Sequence, residues 1–423
     1  MFKFLHAADI HLDSPLKGLE KYEGAPVDEI RGATRRALEN LVELAIEQKV
    51  DFVLIAGDLY YGDWKDHNTG LFFVSQMVRL READIPVIAI SGNHDAANKM
   101  TKSLRLPDNV EWLSHRRPQT AKTKRLEELG VAVHGRSYAK AAELENLALE
   151  YPDKSPGMFN IGLLHTSLTG AKGHERYAPC SLDDQRSKGY DYWALGHVHQ
   201  RQVACDDPHV VFSGNIQGRH IRETDAKGCY LVAVDDRGSV DLEFQRLDVF
   251  RWAVCNVSAT GAERPGDVLD LFSDELSRLI AKHDDIALAV RVQVAGRCLA
   301  HDQLVADQVH WTNQFRSTAL EIGGGRVWIE KVKFATSPER AVKLAPMTDG
   351  PLGEVSQLFN ELRTDDDQLA DVASELDDLR KKLPADLAGG DEAMRFDDPD
   401  WLRGMLGEVE PLLISRLQEE AEQ

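Results

Sequence analysis

The sequence predicts an α/β sandwich with a partly mixed sheet, followed by a small α+β module and a helical tail. Over the first 250 residues, short apolar runs alternate with helical patterns, and the runs after residue 190 follow one another as hairpin strands do. Near Arg251 the pattern changes to strand, helix, strand, helix, strand. Beyond residue 350, apolar residues recur only at helical spacing.

The first region contains apolar runs that are short enough to be buried strands. They are Phe2–Ala7, Phe52–Ala56, Val87–Ile90, Val131–His134, Asn160–Leu164, Tyr192–Leu195, Val210–Ser213, Tyr230–Val234 and Leu242–Gln245. Apolar residues at helical spacing predict helices over Arg31–Gln48 and Leu71–Glu82. Buried strands separated by helices, with hairpin-like strands at the end, indicate a mixed sheet.

The second region reads as an alternation of three strands and two helices. In chain order these are Trp252–Val257, Val268–Ala281, Ala287–Val294, Gln303–Thr318 and Val327–Phe334. We therefore predict three domains: an α/β domain at 1–250, a small α+β capping domain at 251–345, and a linker with an acidic helical tail at 346–423.

The acidity of the chain is concentrated in that tail. The chain has 70 acidic and 50 basic residues, and residues 351–423 hold 20 of the acids but only 7 of the bases. An acidic average argues against a protein that binds nucleic acid over its whole surface, but it leaves room for a local site.

The cysteines and the N-terminus bear on the compartment. The five cysteines form no C-x-x-C pair, which argues against a zinc or disulfide framework and favours a reducing cytoplasm. We find no secretion signal and no apolar run of membrane-spanning length. The expected location is cytoplasmic.

Residues typical of metal ligands follow five of the predicted strands. In chain order they are Asp9 with His11, Asp58, Asn93, His165, and His197 with His199. Open α/β sheets place their sites at the carboxyl ends of strands, where these residues lie. In D-x-H and H-x-H the two side chains point to one side and can hold one ion. Carboxylate, amide and imidazole ligands suit Mn²⁺, Fe²⁺ or Zn²⁺, and one carboxylate can bridge two ions.

Each of these residues alone has a structural alternative. A single His11 or His165 is more often a satisfied core histidine than a ligand. A single Asp58 or Asn93 is typical of a turn or a helix cap. The ordered occurrence of the whole set, each member after an apolar strand, favours the metal site.

The constellation resembles the calcineurin-like metallophosphoesterase superfamily. Two flanking segments, Ala7–Pro15 and Ser213–His220, look like the bacterial DNA-repair exonucleases of the SbcD class, and in particular their YhaO-like branch. The resemblance covers residues 1–250 well and 252–344 more loosely. It implies a metallophosphoesterase β-sandwich flanked by helices, with the small capping domain and the helical C-terminal tail.

The resemblance also implies two divalent metal ions, with Mn²⁺ expected and Fe²⁺ or Zn²⁺ as alternatives. A hydroxide activated by both ions would attack phosphorus. The first ion would be held by Asp9, His11 and His199, the second by Asn93, His165 and His197, and Asp58 would bridge them.

The residues around these ligands suggest further roles. His94 is the candidate to stabilise or protonate the departing oxygen, and Asp95 either orients it or serves as a turn residue. Tyr61 stands where the repair nucleases often carry His or Asp, which leaves the balance of exonuclease and endonuclease action open. The absence of the arginine that follows this segment in Ser/Thr protein phosphatases disfavours that class.

Candidate substrate-binding residues are Arg219 and His220, in the Gly-rich segment after a strand, together with Tyr61. Other basic residues near the motifs either contact phosphate or are solvated surface charges; they are Lys17, Arg136, Arg201 and Arg222. Tyr60, Tyr61 and Trp64 either stack on an unpaired base or pack in the core.

The predicted function is that of a metal-dependent DNA exonuclease, a phosphodiesterase in DNA repair. The expected partners are DNA, a coiled-coil ATPase of the SbcC type (YhaN-like) that docks on the tail, and a second copy in a homodimer. The alternative for the tail is a hairpin that folds back on the body. Two alternative functions stay open: a phosphodiesterase or phosphatase on small nucleotides, and a scaffold subunit with a vestigial site.

Overall fold

The structure is a computed structural model. It describes residues 1–14, 32–61, 67–97, 105–168, 177–283, 286–339, 351–382, 394–396 and 398–421. Lys17, Trp64 and the first residue of the predicted helix Arg31–Gln48 lie outside the described residues. The chain divides into two units, Met1–Glu339 and Arg340–Gln423.

The described part of the chain contains fifteen strands. In order they are β1 (Phe2–Ala7), β2 (Phe52–Ala56), β3 (Val87–Ile90), β4 (Val110–Trp112), β5 (Gln119–Thr120), β6 (Val131–Gly135), β7 (Phe159–His165), β8 (Tyr192–Gly196), β9 (Gln202–Asp206), β10 (His209–Phe212), β11 (Gly228–Val234), β12 (Val240–Arg246), β13 (Phe250–Ser258), β14 (Ala287–Cys298) and β15 (Val327–Pro338). The first three match the predicted runs residue for residue, because both faces of these strands are largely buried and polar residues interrupt only β1, at Lys3 and His6.

The same residues contain twelve α-helices. They are α1 (Ala33–Gln48), α2 (His67–Glu82), α3 (Asn93–Ala97), α4 (Lys124–Leu129), α5 (Leu182–Ser187), α6 (Pro265–Lys282), α7 (His301–Ala306), α8 (Gln308–Gly323), α9 (Pro351–Thr364), α10 (Asp366–Glu375), α11 (Asp377–Lys381) and α12 (Pro399–Ala421). The predicted helix Gln303–Thr318 is wrong as a single helix. Asp307 separates α7 from α8, because its side chain accepts a hydrogen bond from the His310 N–H (2.9 Å) and caps the second helix.

Two mixed sheets of six strands form the body of the first unit. One has the order β12-β11-β1-β2-β3-β4, in which β1 to β4 are parallel and β11 and β12 add an antiparallel hairpin. The other has the order β5-β6-β7-β8-β10-β9, parallel in its centre and antiparallel at both edges. The predicted α/β sandwich with partly mixed sheets is confirmed.

The two sheets pack face to face. Phe4 and Phe52 of the first sheet share one buried cluster with Leu163 and Tyr192 of the second. The Phe4 and Phe52 rings stack with centroids 4.9 Å apart, and Tyr192 meets Phe4 edge-on at 5.4 Å. The other face of the first sheet packs against α1 and α2, through residues such as Leu41. The central strands are therefore covered on both faces, which fixes the positions of their ends.

The remaining strands form a third, all-parallel sheet in the order β13-β14-β15. It packs on α6 and α8 around Phe272 and Phe315. Trp252 of β13 donates a hydrogen bond from its indole N–H to the Gly218 carbonyl (3.0 Å). This contact ties the module to the segment after β10, which also reaches the candidate site. The three-domain division stays a prediction.

The second unit is helical, as predicted. Phe396, Leu369 and Leu402 form its buried cluster, and the Phe396 ring meets Trp401 edge-on at 5.5 Å. Among the helices described here, none is both long and apolar enough to cross a membrane.

Candidate metal centre

The loops that follow β1 and β2 are held together by their backbones. The Asp9 N–H donates to the Gly57 carbonyl and the His11 N–H to the Asp58 carbonyl, both at 3.0 Å. Asp9, His11 and Asp58 all have left-handed φ values, 51°, 45° and 52°. This conformation costs a non-glycine residue about 1–3 kcal/mol and clusters at functional sites. The fold thus holds three predicted ligands in a strained arrangement at one sheet edge.

These side chains converge with others from both sheets. Ligand atoms lie within 4.8 Å of one another in three overlapping groups: Asp9, His11 and His199; His11, Asp58 and His94; and Asp9, Asp58 and His165. The Asp58 Oδ2 atom is 3.5 Å from His165 Nε2 and 3.8 Å from His11 Nε2. Asp58 therefore lies between the other ligands, where a bridging carboxylate is expected.

The donor set fits divalent metal ions. The Nε2 atoms of His11 and His199 are 3.1 Å apart, and His165 Nε2 is 3.0 Å from the Asn93 Oδ1 atom. The Nδ1 atom of His11 is buried without a hydrogen-bond partner among the described residues. Ring nitrogens and carboxyl or amide oxygens that face one another so closely are the arrangement that Mn²⁺, Fe²⁺ or Zn²⁺ requires.

The electrostatics of the buried residues Asp58 and His165 also favour a metal ion at this site. Burial alone would raise the pKa of Asp58, but His165 and His94 lower it to about 2. Burial alone would lower the pKa of His165, but the Asp58 carboxylate raises it to about 9. The site therefore stabilises positive charge between Asp58 and His165, which is what a divalent ion supplies.

His197 is placed differently from the other predicted ligands. Its backbone N–H donates to the Asp9 carboxylate (3.0 Å to Oδ2), and its φ is 98°. Its ring lies beside the rings of His165 and Tyr177, with centroids 5.2 and 5.7 Å away. It belongs to none of the three ligand groups found among the described residues. Its role as a ligand stays a prediction.

His94 and Tyr61 lie at the rim of the cluster. The His94 ring meets His11 edge-on at 4.9 Å and stacks on Tyr61 at 5.2 Å. The backbone N–H of His94 donates to Asp58 Oδ1 (2.9 Å), which fixes the residue next to the bridging carboxylate. Tyr60, by contrast, is buried in the core against Phe73 and does not present its ring to a base.

Asp95 does not hydrogen-bond to His94 in the described structure. Its buried carboxylate instead accepts backbone N–H groups from Leu59 (3.2 Å), Tyr60 (2.9 Å) and Gly92 (3.0 Å). Of its two predicted roles, the structural one fits, because Asp95 joins the loop after β2 to the loop after β3. Burial and the Asp58 charge raise its pKa to about 7.

Gly92 makes the close approach of these loops possible. A Cβ at this position would meet Asp58 Oδ1 and would lie 2.7 Å from His165 Cε1. We expect Gly92→Ala to displace both ligands and to remove Mn²⁺ binding, measured by calorimetric titration. Gly266→Ala, in α6 with open space around it, should bind Mn²⁺ like the unchanged protein. Full binding by Gly92→Ala would contradict the placement of Asp58 and His165.

Glu223 is a site residue that the sequence reasoning missed. Its buried carboxylate accepts a hydrogen bond from His199 Nδ1 (2.6 Å), from Asn215 Nδ2 (2.9 Å) and from the Arg219 N–H (2.6 Å). Although burial raises the pKa of Glu223, the bond to His199 holds it well below its usual range. A carboxylate on the outer ring nitrogen orients a metal-binding histidine and raises its basicity.

We expect Glu223→Ala to weaken Mn²⁺ binding by about 10–100-fold, the usual cost of losing such a partner. Glu223→Gln should cost less, because its amide oxygen can still accept from His199. Isothermal titration with Mn²⁺ measures both, with Glu321→Gln on the exposed face of α8 as the control. Unchanged affinity in Glu223→Ala would show that Glu223 does not position His199.

The candidate substrate residues lie beside the same histidine. The Arg219 guanidinium is 5.4 Å from the centre of the Tyr61 ring, and His220 Nε2 is 3.3 Å from Glu223 Oε1. Arg201 and Arg222 line the same cavity as Arg219, whereas Arg136 pairs with Glu150 elsewhere. The structure thus brings Arg219, His220 and Tyr61 to the ligand cluster.

Comparison with known proteins agrees with this site. A family model described as calcineurin-like phosphoesterase matches residues 2–201, and one described as the middle domain of metallophosphoesterase YhaO matches residues 252–337. The chain is 36% identical over 291 residues to the "Uncharacterized metallophosphoesterase YhaO" of Bacillus subtilis (strain 168), covering 69% of this chain and 71% of the relative.

A second relative is the "DNA double-strand break repair protein Mre11" of Sulfurisphaera tokodaii. It is 30% identical over 207 residues, and the match covers 48% of this chain and 50% of that relative, about half its length. Among solved structures, TT1561 of Thermus thermophilus is similar with a TM-score of 0.35 and 14% identity, over 58% of this chain and 99% of that one. The family matches and the YhaO relative decide the assignment: the chain belongs to the calcineurin-like metallophosphoesterases, a family of hydrolases that use divalent metal ions.

Proposed function

We propose that this metallophosphoesterase is a DNA exonuclease that hydrolyses phosphodiester bonds in DNA repair. The observation that carries the proposal is the position of Arg219, His220 and Tyr61 beside the ligand cluster. Cationic groups suit the phosphate backbone and an aromatic ring suits an unstacked base. The name of the Mre11 relative, a double-strand break repair protein, supports the same substrate class.

Two divalent ions, Mn²⁺ in this proposal, would occupy the centre. When bound, they would supply a nucleophile at neutral pH and neutralise the charge that develops on the phosphoryl oxygens. The first would be held by Asp9, His11 and His199, the second by Asn93, His165 and His197, and both by Asp58.

The remaining steps fall to side chains around the centre. Hydrolysis adds an oxygen from water to phosphorus, breaks the bond to the leaving oxygen, and requires a proton on that oxygen. His94 would deliver this proton from one of its ring nitrogens, because its backbone bond to Asp58 and its stacking on Tyr61 hold it at the rim. Arg219 would bind a phosphate of the DNA backbone beside the centre.

A substrate comparison tests the proposal. Linear duplex DNA labelled at either end, and bis(p-nitrophenyl) phosphate, are incubated side by side with Mn²⁺, Zn²⁺, Mg²⁺ or chelator. The proposal expects both substrates to be hydrolysed with Mn²⁺ and neither with chelator, and the labelled end that disappears first gives the polarity. A closed circular plasmid in parallel reports endonuclease action.

The outcome also separates the alternatives. Hydrolysis of the small ester with intact DNA would contradict the nuclease proposal and favour a phosphodiesterase on small nucleotides. No hydrolysis of either substrate, with less than about one Mn²⁺ bound per chain, would favour the scaffold alternative.

The proposal includes a coiled-coil ATPase of the SbcC type as partner of the tail. The tail helices expose several large apolar side chains, namely Leu358, Val372, Leu379, Val409 and Leu413. Amphipathic helices with such faces commonly dock in a partner's groove. Co-purification of the YhaN-like ATPase with the full chain, and loss of the ATPase with Leu358→Asp, would support the pairing. Equal recovery of the ATPase with the unchanged chain and with Leu358→Asp would contradict it.

A further inference from the structure

A cavity of about 520 Å³ opens beside His199, next to the ligand cluster. The segment from His199 to Arg201 forms one wall and the segment from Arg219 to Lys227 forms the other. Its charged lining consists of four cations and two carboxylates, namely Arg201, Arg219, Arg222, Lys227, Glu223 and Asp225. A cavity of this size holds more than one phosphate group, and its lining favours an anion.

The more buried of the two carboxylates is already engaged within the protein. Glu223 accepts hydrogen bonds from His199, Asn215 and the Arg219 backbone, and its Oε1 atom lies 3.5 Å from Arg219 Nη2. Since a carboxylate only accepts, His199 Nδ1 must carry a hydrogen. The approach of Arg219 Nη2 to that nitrogen (3.2 Å) is therefore a contact between two donors.

The Arg219 guanidinium consequently has donors to spare. Only 11% of its side chain is exposed, and its Nε and Nη1 atoms are buried without a hydrogen-bond partner in the described structure. Buried donors in native proteins nearly always have a hydrogen-bond partner, so the Nε and Nη1 atoms of Arg219 need an acceptor. Each of these N–H groups can donate a hydrogen bond to an oxygen of an anion.

Two neighbouring cations are held in place by neutral groups. Arg201 donates from Nη1 to the Ala226 carbonyl (2.7 Å) and lies over the Phe244 ring at 4.1 Å. Lys227 donates from Nζ to the His199 carbonyl (3.1 Å). Carbonyl partners fix the position of a cation without cancelling its charge, so both charges remain available to an anion in the cavity.

We infer that this cavity binds a second phosphate of the substrate, next along the strand from the phosphate that is hydrolysed. Arg219 contacts the Nδ1 side of the His199 ring, and the metal-facing nitrogen lies on the opposite side of that ring. This distance from the metal ligands suits a phosphate next to the reacting one better than the reacting phosphate itself. The inference rests on the proposed DNA phosphodiesterase function and deepens it. It makes the site selective for a nucleotide chain over a single phosphate ester.

A set of dinucleotides tests the inference. TpT carries one phosphate, whereas pTpT and TpTp carry a second phosphate on opposite sides of the scissile bond. With Mn²⁺, we expect pTpT or TpTp to be hydrolysed with a kcat/KM at least about tenfold above that of TpT, as a charge-assisted hydrogen bond provides. The better of the two identifies the side on which the cavity lies.

The selectivity should depend on Arg219. In Arg219→Gln the ratio of kcat/KM between the favoured dinucleotide and TpT should fall toward one, and Arg219→Lys should recover part of it. Bound Mn²⁺ is measured in each variant, so that loss of metal is separated from loss of selectivity. Arg237→Gln, an exposed residue at the far end of the β11–β12 hairpin from Lys227, should keep the full ratio.

A binding measurement separates this inference from the proposed function. Thymidine 3′,5′-bisphosphate is titrated into the chelator-treated protein by calorimetry, with an expected loss of affinity of about tenfold in Arg219→Gln. Equal hydrolysis of all three dinucleotides would overturn the second-phosphate subsite and leave the phosphodiesterase standing. No hydrolysis of any dinucleotide, with linear DNA also intact and bis(p-nitrophenyl) phosphate still cleaved, would overturn the DNA substrate. No hydrolysis of any dinucleotide, with linear DNA cleaved, would overturn the second-phosphate subsite alone. If Arg219→Gln binds the bisphosphate as tightly as the unchanged protein does, the role of Arg219 in the cavity is overturned.

Discussion

Asp58→Asn should abolish Mn²⁺-dependent hydrolysis and leave the fold intact. Asparagine has the shape of aspartate and keeps an oxygen to accept the His94 N–H at 2.9 Å. It lacks the negative charge that faces His11 and His165. Since outer partners of metal ligands already cost about 10–100-fold, loss of a bridging ligand should lower turnover by more than about a hundredfold.

Metal content and turnover on bis(p-nitrophenyl) phosphate, measured on the same Asp58→Asn sample, check this expectation. Thermal unfolding in chelator reports whether the variant folds, and Asp241→Asn, exposed on β12, is the matched control. A variant that binds two ions with unchanged affinity would show that Asp58 is not the shared ligand.

His94→Ala should keep its bound metal and lose most of its turnover. General acid catalysis by a positioned side chain contributes about 10²–10⁴-fold, which sets the expected loss in kcat. The backbone bond from residue 94 to Asp58 survives the substitution, so the bridging carboxylate stays in place.

His94 also belongs to one ligand group with His11 and Asp58, which makes metal content the deciding readout. Retained metal with low kcat would assign His94 to the chemistry. Loss of an ion would instead make His94 a ligand. His310→Ala, at an exposed position of α8, should change neither quantity.

The parts of the fold that could be predicted from the sequence are strands that are buried on both faces, because burial on both faces requires a run of apolar residues. β2 and β3 are unbroken apolar runs, and β1 departs from this only at Lys3 and His6, because the sheets and helices cover both of their faces. The edge strands β5 (Gln119–Thr120) and β9 (Gln202–Asp206) were missed, because short and largely solvent-exposed strands carry no apolar run.

The candidate site followed the same logic. Asp9 and Asp58 were predicted together because the ends of the neighbouring parallel strands β1 and β2 meet at one edge. His165 ends β7 of the other sheet and joins them because the two sheets pack face to face. The left-handed backbone of Asp9 and Asp58 could not be predicted, since it is imposed by tertiary contacts on residues that rarely adopt it.

Supporting side chains were the hardest to predict. Glu223 is 24 residues from His199 in the chain, and only the folded loops bring its carboxylate within 2.6 Å of the imidazole. The signal that could have found it is its place three residues after the Gly-rich segment Ser213–His220 and four residues after Arg219. The sequence likewise allows two roles for Asp95, and only the folded loops show that its carboxylate accepts three backbone N–H groups.

The proposed centre holds two ions that share Asp58. Anomalous diffraction at the manganese edge, from crystals of the full chain grown with Mn²⁺, tests it most directly. We expect two peaks about 3.5–4 Å apart, one contacted by Asp9, His11 and His199, the other by Asn93, His165 and His197, and both by Asp58. A single peak, or two peaks without Asp58 between them, would contradict it.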